Sequence, residues 1–134
     1  KQTNLRCVIN SKRLVEYLIK EFKLPIGKKK GKLHIPIQIM NRNIFLKNYI
    51  KGLFDTDGSL YLKRKGSLVV SIISRDPTFL NEVNEGLTKL GYNPSVSGKN
   101  LYIYRQEQVR KFFKDIKPNN KKHLEKYDRF INII

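Results

Sequence analysis

Asp55 and Asp57, in the stretch Gly52-Leu53-Phe54-Asp55-Thr56-Asp57-Gly58, are the residues of this 134-residue chain whose type and spacing best suit chemistry. They follow an apolar run with helical spacing and precede a strand-like alternation. The C-terminal end of a helix already carries partial negative charge, so two acids there call for an offsetting positive charge, either a lysine or a divalent cation. A carboxylate that holds a divalent cation on a polyanion cancels the repulsion between acid and phosphate. It also stabilises charge on the attacking and leaving oxygens of a phosphodiester. Two structural readings compete. A calcium loop fails, because Leu53 falls at its first position and Arg64 at its twelfth, where acids are required. A plain helix stop, with Gly58 in the left-handed conformation, accounts for the glycine but not for the acids.

Charge narrows the partner. The 28 Lys and Arg against 11 Asp and Glu leave a formal charge of +17, which points to a polyanion, most often nucleic acid. No segment combines one strongly basic face with one broadly apolar face, so an anionic membrane surface fits less well. No apolar run approaches the roughly 20 residues of a membrane span. Hydrophobic residues make up 40% of the chain and are spread along it, as expected of one folded domain rather than a basic tail. Cys7 stands alone and is read as a small buried hydrophobe in a reducing, intracellular setting, cytoplasmic or organellar.

The elements that must position the acids follow from periodicity. Leu5 to Ile9 is expected as a strand, then a helix capped by Ser11 with Leu14, Leu18 and Phe22 at helical spacing, stopped by Pro25 and Gly27. Residues 28–42 read as a basic connector in which Pro36 forbids a continuous helix. Its Lys28, Lys29, Lys30 and Lys32 suit phosphate contacts or plain solvation equally. A second helix is expected from Asn43 to Thr56, with Ile44, Phe45, Tyr49, Ile50, Leu53 and Phe54 as its apolar positions. Strands from Ser59 to Lys63 and from Leu68 to Ser74 follow, joined by "KRKG". Asp76 caps a third helix, Pro77 opens it and Gly91 ends it. A second hairpin pairs "PSVSG" with "NLYIYR". The helix "QEQVRKFFKDI" precedes Pro118, and a last helix carries Leu124, Tyr127, Ile131 and Ile134 on one side.

The fold class is α+β, and the order from residue 43 is α-β-β-α-β-β-α. The strand-helix segment at residues 1–42 echoes "NLYIYRQEQVRKFF" and reads as the tail of a preceding repeat, with chance similarity as the alternative. Residues 43–134 form the domain proper. On the second helix Asn48, Gly52 and Thr56 recur every four residues, a stripe of small side chains along which two helices approach closely. If the partner helix is a copy, Asp57 faces an equivalent acid across the symmetry axis.

"YIKGLFDTDGSLYL", Tyr49 to Leu62, resembles the signature of the LAGLIDADG homing endonucleases, with Ile50 to Gly58 on its nine positions in order. The resemblance implies an αββαββα unit with a saddle-shaped antiparallel sheet. It further implies that Asp57 holds the metal-binding catalytic position, that the main-chain carbonyl of Thr56 adds a ligand, and that Asp55 serves the helix end and interface. Mg²⁺ or another divalent cation is the implied cofactor. Lys51 departs from the signature, where a small residue stands, and the motif occurs once. A complete site therefore needs a homodimer through the 43–57 helix or a missing first repeat.

Period-two alternation sorts the strands into two faces. Leu60, Leu62, Leu68, Val70, Ile72, Val96, Leu101 and Ile103 are expected to point onto the helices. Ser59, Tyr61, Lys63, Lys65, Ser67, Ser71, Arg75, Ser95, Ser97, Tyr102 and Tyr104 lie opposite. Hydroxyls, aromatics and cations without an acid suit a β-surface lying along the major groove of double-stranded DNA. By resemblance, Arg75 is the candidate for stabilising charge at the scissile phosphate, with Lys99 in the second hairpin turn as a further candidate. His34 and His123 read as surface histidines. Three functions fit: a metal-dependent endonuclease, a non-cleaving DNA-binding regulator, and an RNA-binding splicing maturase. An acid kept beside phosphate favours the first.

Overall fold

The computed structural model describes residues 12–22, 33–64 and 66–131. The strand expected over Leu5 to Ile9, the Ser11 cap, the lysines between 28 and 32, Lys65 and Ile134 lie outside them. In chain order the elements are α1 (Lys12–Phe22), α2 (Ile37–Met40), α3 (Asn43–Asp57), β1 (Gly58–Arg64), β2 (Ser67–Ile73), α4 (Pro77–Lys89), β3 (Ser95–Ser97), β4 (Asn100–Ile103), α5 (Gln106–Asp115) and α6 (Lys121–Ile131). From α3 onward this is the expected α-β-β-α-β-β-α order, and the class is α+β.

The four strands make one antiparallel sheet in the order β1-β2-β4-β3. Its inner face presents Leu60, Leu68, Val70, Ile72, Leu101 and Ile103 to Leu46, Ile50 and Phe54 of α3, to Phe79, Leu80, Val83 and Leu87 of α4, and to Val109, Phe112 and Phe113 of α5. Alternation is what selects that face: each of these strand residues is two positions from the next inward one. Leu62 and Val96, expected on the same side, are 39% and 37% exposed: Leu62 lies beside the break in the β1–β2 pairing, and Val96 lies on β3, the short edge strand.

The ends of α4 form as the residues dictate. The Asp76 carboxylate accepts from the main-chain N–H of Thr78 at 3.1 Å and of Phe79 at 3.3 Å, and Pro77 supplies the fixed first position. At the other end Gly91 takes φ +94°, and the Tyr92 N–H returns to the Leu87 carbonyl at 2.9 Å. A side chain at Gly91 is disfavoured by that angle.

Three expectations change. Residues 37–40, expected as connector, form α2 directly behind Pro36, whose fixed φ and absent N–H suit the position before a first turn. Leu33, Ile35, Ile39 and Met40 pack with the core from that side. In α3 the buried side chains are Leu46, Ile50 and Phe54, whereas Ile44 and Phe45 are 62% and 45% exposed. In α6, Leu124 is exposed, while Tyr127 stacks on Phe113 of α5 with ring centroids 4.1 Å apart.

Candidate nucleic-acid interface and active site

α3 passes into β1 without a loop: Asp57 is the last helical residue and Gly58 the first of the strand. Gly58 has φ −87° and ψ 163°, extended rather than left-handed as the sequence suggested. Its lack of a side chain has a spatial cause instead. A Cβ there would lie 2.2 Å from the Phe54 Cδ1 and 2.6 Å from the Phe54 carbonyl oxygen. One turn back, the Thr56 hydroxyl donates to the carbonyls of Gly52 at 3.0 Å and Leu53 at 3.2 Å, which folds it onto its own helix.

The two acids have separate fates. The Asp55 carboxylate accepts from the main-chain N–H of Asn119 at 2.9 Å and of Asn120 at 3.0 Å, and the Asn120 side-chain amide donates to the Asp55 carbonyl at 2.8 Å. These N–H groups lie just ahead of α6, whose cap is Asn120 itself, its Oδ1 accepting from the Lys122 N–H at 3.0 Å; Asp55 anchors that capped start to the end of α3. Its offsetting charge is a set of backbone amides rather than a cation. One turn along α6, the His123 ring lies 4.5 Å from the Phe54 ring and hydrogen-bonds the Phe54 carbonyl. His123 is buried, not on the surface. Burial lowers its pKa against the opposing pull of that carbonyl and of Asp55. His34 is at the surface as expected, and there its Nδ1 meets Glu82 at 2.6 Å. Asp57 is exposed and, among the described residues, has no hydrogen-bond or salt-bridge partner.

Strand register gathers the remaining candidates at the same end of the sheet as Asp57. Gly58 pairs with Ile72, Ile73 pairs with Asn100, and the Ser74 N–H donates to the Lys99 carbonyl at 2.9 Å. Arg75 and Lys99 are both exposed there. Arg75 stands in the bend between β2 and α4 rather than closing the strand.

The outer face of the sheet is ordered in rows. Ser59, Ser71, Tyr102 and Ser95 lie in register across all four strands. Beyond them Tyr61 pairs with Val69, and Lys63 and Ser67 lie farther from Asp57. Tyr61, Lys63, Val69, Tyr102 and Tyr104 line a cleft of about 450 Å³ together with Ser95 and Ser97. Burial, and secondarily Tyr102, raise the Tyr61 pKa, so that phenol stays a donor. Ser71 was expected at the surface and is only 3% exposed, since it sits mid-sheet between neighbours on both sides. Val69 and Ile73 share this face and escaped the sequence reading, because β2 is apolar at nearly every position and gives no alternation to follow.

Residues 45–117, 73 of the 134, match the sequence profile of the LAGLIDADG-like domain. The chain belongs to the LAGLIDADG family. No curated protein sequence matches it at a significant level. The LAGLIDADG family includes nucleases, which generally use divalent metals, and non-cleaving maturases.

α3 is the LAGLIDADG helix, and its Asn48, Gly52 and Thr56 are all exposed. A Cβ added at Gly52 would meet nothing within 4 Å. Ile44 and Phe45 continue that open side toward the start of the helix. Among the described residues no cluster of three or more His, Cys, Asp or Glu could hold a metal. The exposed Asp57 carboxylate, with the main-chain carbonyl of the neighbouring Thr56, is an all-oxygen donor set. It fits a hard cation such as Mg²⁺, which takes one or two carboxylates and completes its shell with water and phosphate.

Proposed function

We propose that this protein is a site-specific double-stranded DNA endonuclease of the homing type, assembled from two LAGLIDADG halves that meet through α3. The second half is a second copy of this chain or a preceding repeat of which residues 1–42 are the tail. The observation that carries the reading is Asp57: an exposed carboxylate without a partner among the described residues, at the junction of an open helix side and an acid-free, hydroxyl- and tyrosine-rich sheet face.

A divalent cation such as Mg²⁺, held by Asp57 and the Thr56 carbonyl of each half, would neutralise the phosphate and stabilise the oxygens that attack and leave phosphorus. The chain's own residues do the rest. Lysines and hydroxyls of the sheet hold the duplex through phosphates and base edges, in register with the cut. Arg75 and Lys99, at the same end of the sheet as Asp57, donate to phosphate oxygens as negative charge builds on them. Asp55 sets the helix end and takes no part in the chemistry.

The test is cleavage of a plasmid library carrying randomised inserts, with Mg²⁺, by the wild-type protein and by Asp57→Asn. The wild type should linearise a subset of plasmids. Asp57→Asn should bind that subset with unchanged affinity and cut it at least about 1,000-fold more slowly, the scale on which charge-stabilising groups act. Cutting that survives in Asp57→Asn overturns the assignment. Wild-type binding without cutting assigns the chain to the non-cleaving branch, where a salt titration on duplex DNA against structured RNA separates regulator from maturase.

A further inference from the structure

Ile73 is 53% exposed on the outer face of the sheet, which apart from Asn100 and the buried Val69 is made of hydroxyls, tyrosines and cations. Single exposed apolar residues are common on protein surfaces and by themselves mean little. What distinguishes Ile73 is its place. It lies in register with Asn100, in the outer-face row at the end of the sheet where Asp57, Arg75 and Lys99 gather. Residues directly opposite on antiparallel strands project to the same face with Cβ atoms about 5 Å apart, so the two side chains form one adjoining apolar and amide surface. The Asn100 side chain has no hydrogen-bond partner among the described residues and is half-buried.

That pair matches one feature of the major groove. The C5 methyl of thymine is the apolar group that base edges present there, and adenine beside it offers an N7 acceptor and an N6 donor. An asparagine amide, donor and acceptor together, fits adenine N6 and N7, while Ile73 fits the methyl. Neither residue offers the paired donors that select guanine or the carboxylate that selects cytosine. Resting on the reading of the sheet as a DNA-binding face, we propose that Ile73 and Asn100 together recognise one A·T base pair in each half-site, at the position closest to the cut.

The probe is a randomised duplex DNA library prepared once with thymine and once with uracil in its place, a change that removes only the methyl. The full chain should enrich a sequence with an A·T column near the middle of the site. Exchanging thymine for uracil at that column should weaken binding about fourfold, the factor for one buried methyl group. Ile73→Ser should bind the thymine and uracil versions equally. Asn100→Ala should lose about tenfold of its preference for adenine. Neither substitution touches the core, so both variants should keep the wild-type melting midpoint. An enriched site at which thymine-to-uracil exchange in every A·T column leaves wild-type affinity unchanged overturns this proposal and leaves the endonuclease reading standing. Failure to enrich any sequence from either library overturns the DNA-reading role of the sheet, and this proposal with it.

Discussion

Gly58 shows how a single position couples local geometry to the site. Its backbone angles suit any residue, so strain is not what selects glycine; the Phe54 ring and carbonyl occupy the space a methyl would need. Gly58→Ala should therefore cost about 2 kcal/mol, the range for overpacking a tight site, read as a lower urea midpoint with an unchanged slope. The same reasoning separates the two neighbouring acids. Asp55 is tied down by three hydrogen bonds to the segment ahead of α6, whereas the Asp57 side chain has no hydrogen-bond or salt-bridge partner among the described residues. Only the second is open to an external cation.

At the scale of elements, α6 is docked on the end of α3 by Asp55 and His123, and both contacts are testable. Asp55→Ala should destabilise the protein by about 2 kcal/mol, the scale of charged hydrogen bonds left unmade, and hydrogen exchange should quicken first in α6. His123 resists protonation when folded because it is buried, whereas the unfolded chain takes up a proton near the ordinary value of about 6.5. A depressed histidine contributes stability above that value and loses it as pH falls. The melting midpoint should thus drop between pH 7 and pH 5.5 in the wild type and drop less in His123→Gln. Neither contact was legible in the sequence, because each joins residues more than 60 positions apart. What was legible was local: the Asp76-Pro77 start and Gly91 stop of α4, the inward stripe of the strands, and the motif ending α3. The core side of α3 was legible in its second half, at Tyr49, Ile50, Leu53 and Phe54, but not in its first, since "NIFL" is apolar at three consecutive positions and periodicity alone could not prefer Leu46 over Ile44 and Phe45. α2 escaped because four residues carry no periodic signal, and packing of Ile39 and Met40 on the core decides it.

At the scale of the whole molecule, the open side of α3 predicts a dissociation between folding and assembly. Gly52→Leu has room in the isolated fold and gains about 1 kcal/mol of helix propensity, so the melting midpoint should hold or rise. If α3 is the seam between two copies of the chain, as proposed, the bulk should separate them, and the solution mass should fall to that of one chain with loss of cleavage. An unchanged mass and activity would place the assembly surface elsewhere. The loopless passage from α3 to β1 carries this further. The strand extends about 20 Å from Gly58 to Arg64, as a rigid arm fixed at its root to the helix. Tilting that helix by roughly 10° swings the arm's tip by about 3.5 Å, close to the 3.4 Å step from one nucleotide to the next along a DNA strand. If two halves pair through α3 as proposed, the angle at which their helices cross would set the gap between the DNA segments they hold, and substitutions beside Gly52 should shift the preferred spacing between half-sites.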